Sequence, residues 1–185
     1  MDKGKLRRLL ILLHLFGASF MAPAFGLVAI TGGLHMVGGG EKVVTTKAAL
    51  PEGAALDFKS ETIDAEVRAL LDQANIDVDF GYVKSRGASK IQTRPTSRTY
   101  VEISQTPSGL TATVNKPNFQ KAMMEIHKGH GPKILRTYHK LVALGLFFVI
   151  FGGFLVGLLA KAYRTKTLAA AGLGTLLYVV LILFG

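Results

Sequence analysis

The sequence contains no cysteine among its 185 residues. Without a thiol it can form no disulfide, thiolate zinc site or iron–sulfur cluster, and it has no cysteine nucleophile. If any part is exported to an oxidising compartment, that part must be stabilised by packing alone. Charge is also missing locally, because residues 9–40, 141–160 and 167–185 contain no Asp, Glu, Lys or Arg.

Motifs for common catalytic chemistries are missing as well. The chain has no His-Glu-x-x-His and no Gly-x-Ser-x-Gly motif, which removes the usual signatures of zinc peptidases and serine hydrolases. Asp77 and Asp79 alternate on a predicted strand and could bind a cation, but two exposed acids on a strand are more often solvated. The absence of Asp, Glu, Lys and Arg from the charge-free runs argues against an ion or proton pathway through a monomer.

The charge-free runs predict three membrane-spanning helices. A helix rises 1.5 Å per residue, so about 20 apolar residues cross a hydrocarbon core of about 30 Å. We assign the spans to residues 9–37, 139–160 and 167–185. Residues 41–133 remain for one domain outside the membrane, large enough for a single small core.

Basic residues beside the spans predict the orientation. By the positive-inside rule, residues 1–8 form a cytoplasmic N-terminus and residues 161–166 form a cytoplasmic loop. The chain then runs N-in and C-out, with the middle domain on the far side of the membrane. The residues that carry this bias are Lys3, Lys5, Arg7, Arg8, Lys161, Arg164 and Lys166.

The apolar N-terminal run and the basic residues each have an alternative interpretation. A cleavable signal peptide could end near Ala22-Pro23-Ala24, but the apolar run continues past the length of about 7 to 15 residues typical of such peptides. The net charge of +10 could indicate nucleic-acid binding. The basic residues beside the spans have the simpler explanation above, so we expect no nucleic-acid partner.

The middle domain has an α+β pattern. Residues 60–74 place apolar side chains on one helical face, and residues 118–127 do so again. Between them, residues 78–83, 99–103 and 110–114 alternate apolar and polar side chains, which is typical of strands. We therefore expect three or four antiparallel strands, with helices before and after and one helix packed on a small sheet.

Charge is unevenly divided within this domain. Residues 41–83 carry 9 acidic and 4 basic side chains, whereas residues 84–140 carry 2 acidic and 11 basic ones. The basic half is interpreted as a solvated face attracted to anionic lipid headgroups. Alternatively it is a docking surface for an anionic ligand or acidic partner domain, with Arg94 and Arg98 as contacts.

Small residues recur at four-residue spacing in two spans. Ala18, Ala22 and Gly26 lie in the first, and Gly153 and Gly157 in the second. Small side chains let helix backbones approach closely. These faces are predicted to pack against each other, against a partner protein or in a homo-oligomer.

Several short motifs resemble the PepSY-associated transmembrane proteins. Leu13-His14-Leu15-Phe16-Gly17 and Thr31-Gly32 are similar to the ends of that family's first helix, and Ile126-His127-Lys128-Gly129 is similar to its Leu-His-x-Gly element. Tyr100-Val101-Glu102-Ile103, with the turn at Gly109, resembles part of a PepSY module. The chain differs in having three spans and in having Leu15 and Phe16 where a basic-aromatic pair is usual.

The resemblance implies a multi-pass protein of the bacterial cytoplasmic membrane with a periplasmic PepSY-like domain. It implies a non-catalytic accessory or regulatory subunit that binds another envelope protein. Some larger relatives resemble haem-bearing reductases, so the alternative is a haem b electron-transfer protein acting on ferric chelates such as siderophores.

The five histidines are the candidate cofactor ligands. His35 and His139 could hold a haem b at the outer ends of adjacent spans, whereas His14 lies about 31 Å along the helix from His35 and needs a second copy as partner. His127 and His130 could bind a metal ion. The alternative roles are structural, at the membrane interface and at a helix C-terminus.

Overall fold

The computed structural model describes residues 3–38 and 40–185, and the chain divides into two compact units. One unit comprises the chain up to Ala24 with Lys140–Gly185, and the other comprises Phe25–His139. The helices in the described part are α1 (Lys3–Met36), α2 (Ile63–Gln73), α3 (Phe119–His127), α4 (Lys133–Leu159) and α5 (Arg164–Phe184). The strands there are β1 (Val43–Ala48), β2 (Tyr82–Ser85), β3 (Lys90–Arg94), β4 (Tyr100–Thr106) and β5 (Gly109–Pro117).

Three of these helices are long and apolar enough to cross a membrane. They are α1, α4 and α5, with mean hydropathies of 1.8, 2.6 and 2.2 over their spanning segments. The expectation of three such helices is confirmed. Helix α4 begins at Lys133, six residues before the predicted start, because Pro132 precedes it and suits a helix N-terminus. Helix α3 ends at His127, and Gly129 adopts a positive φ of 72° just beyond it.

The second unit contains a five-stranded antiparallel sheet in the order β1-β5-β4-β3-β2. The predicted hairpin is present, with Thr106 opposite Gly109 at its turn. Gly109 has a φ of 114°, a conformation that glycine adopts readily. The expectation of a small antiparallel sheet in an α+β domain is confirmed.

A single apolar core lies between α2 and one face of the sheet. Val67, Leu70 and Leu71 of α2 meet Ile91, Val101 and Ile103 of the central strands. These side chains follow the helical spacing and the strand alternation that bury one face of each element. The opposite face of β3 carries Gln92 and Arg94, which are buried too, so this strand is covered on both sides.

Two details of the predicted domain are wrong. The sheet has five strands, because β1 pairs with β5 and β3 lies between β2 and β4. The predicted strand over residues 78–83 is displaced to Tyr82–Ser85, so Asp77 and Asp79 do not lie on a strand face. Both predicted helices are present as α2 and α3, and α3 lies near β5.

Candidate functional site

Three histidines in the unit Phe25–His139 join α1 or α3 to the domain through their Nδ1 atoms. His35 lies in the last turn of α1, and His127 ends α3. Each of the three is held by a different polar side chain close to 2.7 Å away. The pairs are His35 with Glu41 (2.7 Å), His127 with Thr31 (2.7 Å) and His130 with Glu125 (2.8 Å).

Hydrogen-bond donors can be assigned for the His127 pair. The Thr31 hydroxyl lies 2.6 Å from the Leu27 carbonyl and donates its single proton there. The Thr31 oxygen therefore accepts from His127 Nδ1, which fixes the tautomer and leaves Nε2 without that proton in the neutral ring. The imidazole lies against Gly32, where a Cβ would be in ordinary van der Waals contact with His127 Cε1 at 3.5 Å. This contact ties α3 to α1.

Lys121 connects two carboxylates that are far apart in the sequence. Its Nζ lies 3.1 Å from Glu41 Oε2 and 3.1 Å from Glu125 Oε1. Glu41 follows α1, and Glu125 is one turn further along α3, so the ammonium group joins the exit of α1 to α3. An ion pair of this kind is strongest where the side chains are shielded from water, and Glu125 is 8% exposed.

Thr96 extends this network to β3. Its hydroxyl donates to Glu125 Oε2 at 2.7 Å and accepts from Arg94 Nη1 at 2.9 Å. Its backbone N–H donates to the His130 carbonyl at 3.2 Å. One threonine therefore bridges the end of β3, α3 and the segment before α4. We call the group His35, Glu41, Lys121, Glu125, His130, Thr96 and Arg94 the junction network.

The electrostatics of Glu125 are dominated by its donors. Burial by itself raises the pKa of this carboxyl, since it disfavours the charged form. Hydrogen bonds from Thr96, His130 and Lys121, together with the charge of Lys121, outweigh burial and lower the pKa from 4.5 to about 2. Glu125 is thus ionised across the physiological range.

The other end of the network follows the same balance. Burial raises the pKa of Glu41, but hydrogen bonds from Lys121 and His35 give a net lowering. Burial lowers the pKa of Lys121, but its hydrogen bonds with Glu41 and Glu125 give a net rise. Opposite charges therefore stabilise each other along the network, and each ionised partner accounts for the shift of the next.

Arg94 differs from the other members because it is almost fully enclosed. It is 1% exposed, and burial followed by the nearby charge of Arg86 lowers its pKa. Its Nε and Nη2 atoms are buried and have no hydrogen-bond partner among the described residues. Arg98 is exposed and pairs with Asp79 at 2.9 Å. Arg94 therefore does not lie on the solvated face that the charge distribution predicts.

The unit that contains the start of α1 brings His14 against α4. His14 Nδ1 lies 2.8 Å from the Val149 carbonyl, which can only accept, so Nδ1 carries the proton. A cavity of about 580 Å³ adjoins this histidine. Its walls are almost entirely apolar and include Leu10, Leu13, Met21, Phe148, Phe151 and Leu155.

Glycines on α4 account for the close approach of its neighbours in this unit. A Cβ at Gly153 would lie 2.9 Å from His14 Cε1, and Met21 occupies the space beside Gly145. Gly157 faces Thr167 of α5. The small residues predicted on α4 are thus helix contacts, whereas Gly26 of α1 has no neighbour that a Cβ would meet within 4 Å.

The histidines predicted as metal and haem ligands have different environments in the structure. His127 and His130 are held by separate partners, Thr31 and Glu125. His35 is exposed and paired with Glu41, and the ring of His139 makes no side-chain hydrogen bond among the described residues. In the described part of the chain, no three His, Cys, Asp or Glu side chains converge to hold a metal ion.

Sequence reasoning singled out the histidines but missed their partners. The Lys121–Glu125 spacing of four residues on a helix was a usable signal for an ion pair. No local pattern indicates Thr31 or Thr96, since their partners lie 96 and 29 residues away. Arg94 gave the opposite signal, because an arginine ending a polar stretch usually faces water.

The chain matches no protein-family model, no curated protein and no solved structure. The resemblance of residues 13–17, 31–32 and 126–129 to PepSY-associated membrane proteins therefore stays a prediction.

Proposed function

We propose that this protein is a non-catalytic accessory or regulatory subunit of the bacterial cytoplasmic membrane that binds another envelope protein through a periplasmic PepSY-like domain. Basic residues in the first turns of α1 and at the α4–α5 connection support an orientation in which the domain is periplasmic. The α+β architecture supports a domain that binds proteins by exposing part of its sheet.

The observation that carries the proposal is the open edge of the sheet at β1. This strand pairs with β5 on one side and ends the strand order. Four consecutive residues, Val44 to Lys47, are exposed. An edge strand presents unpaired N–H and C=O groups, to which an extended segment of another protein can add as a further strand.

The junction network supports the same function because it fixes the domain on the adjoining helix ends. Thr31–His127 and Glu41–Lys121 attach α3 to the end of α1 and its exit. At the opposite sheet edge, Tyr82 of β2 accepts a hydrogen bond from Arg136 of α4 at 3.1 Å. A domain held at several points keeps β1 in a defined orientation for a partner, which lowers the entropy lost on binding.

Site-specific photocrosslinking in cells tests this proposal. A benzophenone amino acid at Thr46 of β1 is compared with the same amino acid at Gln73, an exposed position on α2. We expect Thr46 to form a discrete adduct with a different protein and Gln73 to form none. Val44→Lys, at a position 66% exposed, should reduce the adduct by placing a charge on the edge.

Each crosslinking outcome either supports or overturns the proposal. An adduct with a second protein at Thr46 that Val44→Lys weakens supports the proposal. No adduct, an adduct only with a second copy of this chain, or equal adducts at Thr46 and Gln73 would overturn it. Circular dichroism of Val44→Lys should match that of the wild type, since the side chain is exposed.

A second candidate function, haem-dependent reduction of ferric chelates, is favoured by His14 and its cavity. Donation of Nδ1–H to a carbonyl orients an imidazole so that Nε2 can bind a metal. The cavity is apolar, and His14 is the one histidine among its described lining residues, so a second copy of the chain would have to provide any further protein ligand. Bound haem would supply one-electron transfer.

An absorption spectrum distinguishes this candidate. After haem-replete expression, a Soret band that is lost in His14→Ala and retained in His139→Ala would assign the ligand to His14. Loss only in His35→Ala and His139→Ala would assign haem to the originally predicted pair. A purified wild-type protein with no Soret band would exclude the haem-dependent function.

A further inference from the structure

The unpartnered donors of Arg94 indicate a binding site. Arg94 Nη1 donates to Thr96, whereas Nε and Nη2 have no partner although both are buried. Buried N–H groups in native proteins are nearly always hydrogen-bonded to protein, water or ligand. The two atoms without partners lie side by side on one edge of the planar guanidinium group.

This edge is the one that binds two oxygens of a single anion. Nε–H and an Nη2–H point in the same direction and form a fork that matches a carboxylate or phosphate group. Glu125, the nearest carboxylate in the network, is already bound by Thr96, His130 and Lys121. No carboxylate in the described residues pairs with Arg94.

The charge around Arg94 favours an anion. Arg86 is close enough to lower the pKa of Arg94, and its Nε donates to Gln92 on the same face of β3 at 3.1 Å. Tyr82 is the register partner of Arg94 and accepts from Arg136 in the first turns of α4. Three arginines therefore lie on or next to this face of β2 and β3, whereas Glu125 is the carboxylate whose charge acts on Arg94 in the opposite direction.

The place of Arg94 in the unit favours phosphate over carboxylate. Thr96, two residues on, bonds through its N–H to the His130 carbonyl, three residues before α4 begins. Helix α4 is apolar enough to cross a membrane, and its first turns carry Lys133, Arg136 and Lys140. Basic side chains at such a helix end meet the phosphates of lipid headgroups.

We propose that Arg94 is the anchor of a binding site for a phosphate group, presented either by an anionic phospholipid or by a soluble phosphate. The Nε–Nη2 edge holds two phosphate oxygens, and Arg86 adds positive charge nearby. Because Arg94 is sealed in this structure, admission of the group requires a local rearrangement. This site is separate from the β1 edge, so a test of phosphate binding does not depend on whether a partner protein binds at β1.

The experiment uses the full chain in a neutral detergent. One arm titrates inorganic phosphate against chloride at equal ionic strength and records the melting temperature by circular dichroism. The other arm adds phosphatidylglycerol or, as the zwitterionic control, phosphatidylcholine, and counts bound lipids by native mass spectrometry. Binding to the native state raises the melting temperature with ligand concentration.

Two matched variants identify the residue. Arg94→Lys keeps the charge but loses the fork, and Arg98→Lys makes the same change at an exposed arginine. We expect Arg94→Lys to weaken the apparent affinity by about 10- to 100-fold, the range for losing a bidentate charged contact. Arg98→Lys should bind like the wild type.

Each outcome has a defined meaning. Phosphate binding without selective lipid retention supports a soluble phosphate, and selective retention of phosphatidylglycerol supports a lipid headgroup. If neither arm shows binding by the wild type, the proposal is wrong. It is equally wrong if Arg94→Lys folds and binds like Arg98→Lys. If Arg94→Lys does not fold, Arg86→Gln takes its place: weaker binding than the wild type supports the site, and unchanged binding shows that the proposal is wrong.

Discussion

At the scale of single residues, Glu125 shows how a buried carboxylate is kept charged. It is 8% exposed, yet three donors surround it: the Thr96 hydroxyl, the His130 ring and the Lys121 ammonium. Desolvation opposes ionisation, but hydrogen bonds to the charged form favour it more strongly here. Removing any one donor leaves a buried acceptor with fewer partners, which is costly.

The lowered pKa of Glu125 predicts a specific pH dependence of stability. A carboxyl whose folded-state pKa falls from 4.5 to about 2 stabilises the protein above pH 4.5, and this contribution is lost as the pH falls toward 2. This pKa shift corresponds to a contribution of about 3 kcal/mol to the free energy of unfolding. Glu125→Gln should therefore lower the melting temperature by several degrees near pH 6, and the deficit should shrink by pH 3.

Glu102→Gln is the control for this prediction. Glu102 forms a 3.6 Å pair with Lys90 near the surface, with 32% of its side chain exposed. Such pairs contribute little to stability, so Glu102→Gln should follow the wild-type curve. A constant difference between wild type and Glu125→Gln from pH 6 to pH 3 would contradict the pKa argument.

At the scale of helices and strands, the parts that sequence predicts are those with one simple environment. The charge-free helices and the hairpin of β4 and β5 have strong periodic signals, so their existence follows from pattern. Strand β3 is not predicted, because it lacks an apolar–polar alternation. Its polar residues Gln92 and Arg94 are buried, although such residues in a sequence indicate an exposed loop. Strand β1 is an edge strand with a mostly exposed surface, which removes the apolar signal.

Sequence patterns likewise predict only part of the candidate site. Histidines near the helix ends are visible in the sequence, but the hydrogen bonds that determine their roles join α1 to α3 and β3 to α3. Long-range partners such as Thr31 for His127 depend on tertiary packing, and local spacing carries no information about them. Sequence therefore predicts more of the fold than of the polar network. Buried faces of helices and strands produce a periodic pattern of apolar residues, whereas a hydrogen bond from a single hydroxyl produces no pattern.

The packing of α1 on α4 gives a prediction with an adjacent control. Gly153 faces His14, and a Cβ there would lie 2.9 Å from the ring, whereas Gly152 has nothing within 4 Å. Gly153→Ala should destabilise the protein by about 1 to 2 kcal/mol through overpacking. Gly152→Ala should be neutral or stabilising by up to about 1 kcal/mol, since alanine favours helix.

Thermal unfolding in detergent, followed by circular dichroism at 222 nm, checks this pair. A His14→Ala background should reduce the effect of Gly153→Ala, because the ring that the new methyl meets is gone. Equal behaviour of the two glycine variants would show that α1 and α4 do not pack at Gly153.

At the scale of the whole molecule, charge at the helix ends predicts how the chain threads through a membrane. The N-terminal segment has four basic residues before the first charge-free run, and three more lie close together in the α4–α5 connection and the first turn of α5. The α+β domain is also basic in its second half, so charge alone does not separate the two sides by net sign. The positive-inside rule applies to short loops, and it weights the compact clusters over a folded domain.

Reporter insertion tests this threading directly. Alkaline phosphatase is active only after export, and green fluorescent protein fluoresces when it folds in the cytoplasm. Insertion at the exposed turn between β4 and β5, after Ser108, should give phosphatase activity without fluorescence. Insertion after Ala162, between α4 and α5, should give the reverse, because the positive-inside rule predicts that Lys161, Arg164 and Lys166 keep that loop on the cytoplasmic side. Changing these three residues to glutamine should weaken the preference at Ala162 while leaving the Ser108 result unchanged, since the N-terminal basic cluster still orients α1. Fluorescence at Ser108 would place the domain in the cytoplasm and remove the basis for an envelope partner at β1.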